Sequence, residues 1–347
     1  MEESLLALKS SKPTNKVDAI SYKKIAAILT SINNKNFSSL SILLKSSDPD
    51  VRTRALAVLD EIAVGSPTSR NNDENWDWDM YMRQSHIEGS AHSPSYLARN
   101  LFDATLMQSI LNAANDSEAR VRAACMFALA VITPADSEIT NVVKNRLVSD
   151  PDKTVKLRCV ETLGRYAAKQ RNQASEIGKM MQTATQHDPD CAVRLGAAIV
   201  LQMIHSELEN NTKDASRTVI LAQEFGMMTG VAIKDHIGTN KIPCRKGVEY
   251  GVCVVPDDSD KAPDLKVRLT APFARSNWPD NRVRSGRHID VSPDRRAAIY
   301  SMQSPCGNFS EVTWMVADDD RPGDYKAEVL VNNKVSKTFD FEIVASK

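Results

Sequence analysis

One phrase recurs four times along this chain. Asp48-Pro49-Asp50, Asp116-Ser117-Glu118, Asp150-Pro151-Asp152 and Asp188-Pro189-Asp190 each precede an apolar helical run. A basic residue stands six places after the first Asp in each copy: Arg54, Arg122, Lys156 and Arg194. Asp116 to Asp150 is 34 residues and Asp150 to Asp188 is 38, whereas Asp48 to Asp116 is 68, one unit plus an insertion. A fixed period of this size limits the fold to stacked copies of one supersecondary unit.

The phrase reads as the start of a helix. The leading Asp can accept hydrogen bonds from the unpaired N–H groups of the first turn. Pro at the next position suits that turn, where its missing N–H costs nothing. The second acid then sits near the positive end of the helix dipole. Behind the phrase, Val121, Cys125, Ala128, Leu129 and Ile132 fall on one stripe, as do Val155, Cys159, Leu163 and Tyr166. Ile139, Val142, Val143 and Leu147 mark a helix ahead of the third copy. Each unit is thus a helix, a short acidic turn and a second helix, which buries its apolar side only by stacking on neighbours.

These residues resemble short bacterial HEAT repeats, whose phrase runs Asp, four residues, Val-Arg, two residues, Ala. The resemblance covers residues 36 to 206 and implies a right-handed α-solenoid. Copy one departs from it with Thr53 in place of Val, and copy three with Lys156 in place of Arg. The repeated cation could line a binding groove. In such repeats it more often pairs with turn Asp residues or helix ends, and that pairing is the expectation here.

The chain has 347 residues, enough for two domains. Its formal net charge is zero, so no global field draws it to nucleic acid or an anionic membrane. Met1-Glu2-Glu3-Ser4 lacks the basic and apolar regions of a signal peptide. No apolar run approaches the ~18 residues of a membrane span. Cysteines 125, 159, 191, 244, 253 and 306 are scattered, and none forms the close pairs of a zinc site. A cytoplasmic protein with reduced thiols, no metal and no cofactor is the expectation.

Taken in order, residues 1–16 are polar and expected to be mobile. The solenoid spans 17–206 and begins with a capping helix over Lys16 to Ile32. Phe37, Leu40, Leu43 and Leu44 belong to the next helix, Val51 to Val64 to the one after, and Tyr96 to Ala114 to the helix that resumes beyond an inserted loop at 65–94. That loop holds Trp76, Trp78 and Tyr81 among acids. Long insertions are usually functional or disordered, and exposed Trp and Tyr favour protein hot spots. The alternative is that these rings fold back to fill the gap. On the third repeat Arg158, Glu161 and Arg165 share a polar face, either a partner-binding groove or a solvated ion-pair network.

Residues 207–216 are polar and break the helical pattern, as a linker does. From 217 to 347 the pattern alternates. Strands are expected at Val231–Ile233, Tyr250–Val255, Leu265–Leu269, Ala298–Tyr300, Val312–Val316, Tyr325–Val331 and Thr338–Val344, with Asn332-Asn333 as a hairpin turn. Seven short strands argue for a β-sandwich. Ile242-Pro243, Gly247-x-x-Tyr250-Gly251 and the final hairpin through Phe339-Asp340-Phe341 resemble bacterial immunoglobulin-like domains of unestablished function. A basic loop carries Arg275, Arg282, Arg284, Arg287, His288, Arg295 and Arg296 beside Trp278. It could hold a phosphate or an acidic segment, including the Trp76–Asp79 loop, or be merely solvated.

No phosphate-binding Gly-rich loop, nucleophile elbow or metal-binding helix motif occurs in the sequence. A non-enzymatic scaffold or adaptor for a protein partner is therefore expected, with no membrane role and no assigned small-molecule ligand. Two alternatives come from resemblance to other HEAT-like proteins. One is nucleic-acid binding through the basic loop and the mixed faces around Arg52, Arg120 and Arg158. The other is a bilin-lyase-like role.

Overall fold

The computed structural model describes residues 40–64, 97–98, 102–133, 137–208, 220–229, 236–257, 264–275, 278, 289–302, 309–318 and 320–345. The N-terminal segment, the capping helix, the 65–94 insertion, the strand expected at 231–233 and residues 209–216 of the expected linker lie outside them. Within the described residues, eight helices precede a two-sheet β-sandwich. Two compact units divide between Ser175 and Glu176.

The first unit holds α1 (Leu40–Leu43), α2 (Pro49–Val64), α3 (Ala104–Ala113), α4 (Ala119–Ala130), α5 (Ser137–Ser149), α6 (Lys153–Lys169) and the start of α7 (Arg171–His187). The apolar stripes expected from sequence are its core: Val121, Cys125, Ala128, Leu129, Val155, Cys159, Leu163 and Tyr166 are all buried. Polar side chains lock α6 to α4. Thr162 Oγ1 donates to the Met126 carbonyl at 2.9 Å and Tyr166 Oη to that of Leu129 at 2.7 Å.

Two boundaries differ from expectation. The helix expected from Tyr96 begins only at Ala104, because Asp103 caps it by accepting from Leu106 N. Leu97–Ala98 instead form β1, parallel to β2 (Ile132–Thr133). Ile132 therefore leaves the helical stripe; Pro134 drives Thr133 before it to extended backbone, and Ile132 pairs with Leu97 beside it.

The second unit holds the remainder of α7, α8 (Cys191–Leu208) and ten strands. One sheet has the order β10-β6-β3-β4, from Ser310–Met315, Glu249–Pro256, Ile220–Met228 and His236–Gly238. The other has the order β5-β12-β11-β7-β9-β8, from Lys241–Cys244, Lys334–Ala345, Gly323–Val331, Leu265–Thr270, Ala297–Ser301 and Ile289–Val291. Between the sheets, Phe225, Tyr250, Trp314, Tyr325 and Phe341 form an aromatic core, with Phe225 and Phe341 centroids 4.5 Å apart. Asn332 and Asn333 turn the last hairpin at φ 50° and 63°, as their tolerance of left-handed backbone suggested.

Helix α8 packs on β3, β4 and β6. Alternation assigns the faces: Phe225, Tyr250, Val252 and Val254 enter the sandwich core, so Glu224, Gly226, Met228, Gly251 and Cys253 lie on the face that α8 covers. Gln202 Nε2 donates to the Pro256 carbonyl at 2.6 Å, and His205 Nδ1 meets Asp257 Oδ1 at 2.7 Å. The helix bearing the fourth copy of the phrase thus belongs with the sheets.

Candidate functional site

The repeated turn is built from two acids with separate tasks. In copy three Asp150 Oδ1 accepts from Asp152 N at 3.0 Å, and Asp152 caps α6 by accepting from Thr154 N and Val155 N. Copy four repeats this with Asp188 and Asp190. In these two copies the second acid, not the first, is the cap, and Pro151 and Pro189 precede the helix instead of opening it. In copy two Glu118 stands at the cap without a side-chain hydrogen bond, and in copy one the leading Asp48 caps and Pro49 opens the helix, as expected.

Copy one obeys the same geometry in a different register. Ser46 Oγ accepts from Asp48 N, Asp48 Oδ1 accepts from Asp50 N, and the helix starts at Pro49. Ser46 thus takes the leading place, Val51 is the buried apolar residue and Arg52 is the repeated cation. Arg54, which the sequence spacing assigned to that role, is exposed. The signal was present as Val51-Arg52, directly comparable to Val121-Arg122 and Val193-Arg194.

Each repeated arginine points back over its own turn and forward to another acid. Arg52 donates to the Ser46 carbonyl and forms a bidentate pair with Asp116, Nε to Oδ2 at 2.7 Å. Arg122 donates to the Asp116 and Ser117 carbonyls and pairs with Asp150. Arg194 donates to the Asp188 and Pro189 carbonyls, and its partner is Glu224 on β3, Nη2 to Oε2 at 2.6 Å. Burial alone would raise the Asp150 carboxyl. The Arg122 hydrogen bond, the Asp152 N–H and Arg146 outweigh it and hold the group below the usual carboxylate range. Asp116 is lowered in the same way, against its burial, by Arg52 and the Glu118 N–H.

The face at Arg158, Glu161 and Arg165 is an ion-pair network, and it is buried where a solvated one was the expectation. Glu161, 1% exposed, accepts from Arg158 Nη1 at 3.1 Å and Arg165 Nη2 at 2.9 Å. Sequence reading missed the reason, which is Phe127 on α4. Its half-buried ring has the Arg158 guanidinium 4.9 Å and the Arg165 guanidinium 5.2 Å from its centroid. Cation–π contacts of this kind cover a cation's apolar face while Glu161 satisfies its charge.

Trp76, Trp78 and Tyr81 lie outside the described residues, as do Arg282, Arg284 and Arg287. The described part of the basic loop is structural at one position. Arg275 is buried, pairs with buried Asp320 at 2.8 Å and sits 5.0 Å from the centroid of the Trp278 ring. Trp278 Nε1 donates to the Arg295 carbonyl, and Arg295 Nε donates to that of Arg275. Arg295 and Arg296 are exposed.

Among the described residues no three or more His, Cys, Asp and Glu side chains are grouped to hold a metal, and no helix is long and apolar enough to cross a membrane.

Comparison with known proteins bears on the second unit. A family model described as the PM0630 beta sandwich domain matches residues 224–344. That match covers the sandwich alone. No curated protein matches the sequence. Among solved structures, an immunoglobulin-like protein from Pseudomonas aeruginosa is similar at 12% identity, covering 38% of this chain and 100% of its own, with a TM-score of 0.27. A score that low carries no argument, and the two-sheet assignment rests on the strand pairing itself.

Proposed function

We propose that the chain is a non-enzymatic scaffold in which a right-handed HEAT-type α-solenoid is followed by an immunoglobulin-like sandwich and binds a protein partner. The observation that carries this reading is the half-buried ring of Phe127 on α4, flanked by the largely buried Arg158 and Arg165 of α6. An aromatic ring held between arginines has the composition of an interface hot spot. The fate of the repeated cations supports the same side. Arg52, Arg122 and Arg194 are engaged with acids and turn carbonyls, so they supply little of the basic groove that nucleic-acid binding requires.

The test is a pull-down with the full chain at low and moderate salt, scoring protein and nucleic acid together. Phe127→Ala and Trp76→Ala/Trp78→Ala variants run alongside. A discrete protein that survives moderate salt and is lost in a variant supports the scaffold and locates its anchor. Nucleic acid that washes off with salt, with no protein retained, overturns it in favour of the nucleic-acid alternative.

A further inference from the structure

We propose that Met228, His236 and Cys253 form a binding site for a soft metal ion, with cuprous copper the ion their chemistry fits. His236 pairs with Met228 across β3 and β4, which brings His236 Nδ1 to 3.1 Å from the Met228 sulfur. The Cys253 sulfur, on β6, lies 3.8 Å from the same nitrogen. All three side chains are buried, His236 at 1% and Cys253 at 3% exposure. Cys191 of α8 closes the neighbouring ground: its thiol contacts the His236 carbonyl at 3.5 Å, and a Cβ on Gly238 would stand 3.1 Å from its sulfur.

The ring also donates to the Phe225 carbonyl, but hydrogen bonding is a weak explanation for its approach to two sulfurs. A thioether is a poor acceptor and a thiol a poor partner, yet an imidazole nitrogen has been carried into the interior to meet both. Coordination explains it better. Metal bonds of ~2.0 Å to nitrogen and ~2.3 Å to sulfur separate the two donors by about 3.5 Å at ordinary angles. The observed 3.1 and 3.8 Å bracket that separation. One nitrogen, one thioether and one thiolate form a soft set that suits Cu(I): the thioether is foreign to zinc sites, and the lack of oxygen donors excludes magnesium and calcium. Binding would displace the Cys253 thiol proton.

The experiment uses the full reduced chain under anaerobic conditions. Cu(I) is added as its acetonitrile complex, then challenged with a chromophoric Cu(I) chelator. Zn(II) is tested in parallel, and the bound metal is examined by X-ray absorption. The expected result is one retained Cu(I) per chain with mixed nitrogen and sulfur ligation, lost in Cys253→Ser. Met228→Leu conserves core volume, so its fold is checked by thermal melting. It should weaken retention at least about tenfold, the lower end of what even outer-shell partners contribute. If Cys253→Ser fails to fold, Met228→Leu decides. Failure to retain Cu(I), equal retention in the folded variants, sulfur-only ligation or preference for Zn(II) would each overturn the assignment.

Discussion

Arg122 of one turn holds Asp150 of the next in a bidentate pair, Nε to Oδ2 at 2.7 Å and Nη2 to Oδ1 at 2.9 Å, with the carboxylate fully buried. Removing one member of a buried pair strands the other in low dielectric, so Arg122→Ala should lower stability by about 3 kcal/mol. Arg54→Ala, at the exposed position that simple spacing would equate with it, should stay within about 0.5 kcal/mol. Chemical denaturation of both variants checks the register of the repeat. Equal effects would refute it.

Asp116 and Asp150 also set an acid limit. Both carboxyls titrate below their ordinary value in the folded chain, so the unfolded chain takes up their protons first. Their contribution is complete above pH ~4 and disappears as pH falls below that value toward the depressed folded values. Denaturant midpoints measured from pH 6 to pH 2 should decline in this acid range. Asp150→Asn should be less stable at neutral pH and show a shallower decline.

Burial pushes the Cys125 and Cys159 thiols far above their ordinary value. Since the thiolate is the reactive form, both should resist alkylation at pH 8 in the native chain and react only on unfolding. Peptide mapping after brief iodoacetamide exposure tests this directly.

The Asn332-Asn333 turn tests the demand for left-handed backbone. Both residues occupy left-handed backbone; Asn332 Oδ1 accepts from Asp264 N at 3.2 Å, and Asn333 Oδ1 from the exposed Lys266 Nζ at 2.9 Å. Asn333→Gly should change stability by no more than about 0.5 kcal/mol, whereas Asn332→Val should cost about 1–2 kcal/mol. Thermal melts of the two variants provide the comparison.

How much of this was legible varies with whether an element is covered on one face or two. Helices α4 and α6 were readable because Val121, Cys125, Val155 and Cys159 recur at helical spacing against polar neighbours. Strands β7 and β10, which alternate buried with half-buried residues, were equally plain. Strand β3 was not anticipated, because one face enters the sandwich and the other meets α8, which removes the polar alternation a half-exposed strand would show. At the candidate sites, spacing brought Arg158, Glu161 and Arg165 together correctly but carried no information about Phe127, which arrives from another helix. Met228, His236 and Cys253 follow no motif either, since only strand pairing makes them neighbours.

The α8 helix on the outer face of the four-stranded sheet alters what counts as a portable piece of this chain. Sequence similarity to the sandwich family starts at residue 224, after α8 has ended at Leu208. A fragment cut there would part Glu224 from Arg194 and remove the helix that covers the face bearing Met228 and Cys253. The segment that resembles the family and the compact unit it sits in therefore have different left-hand edges, and a transplant that respects only the first would carry a sheet stripped of its outer wall.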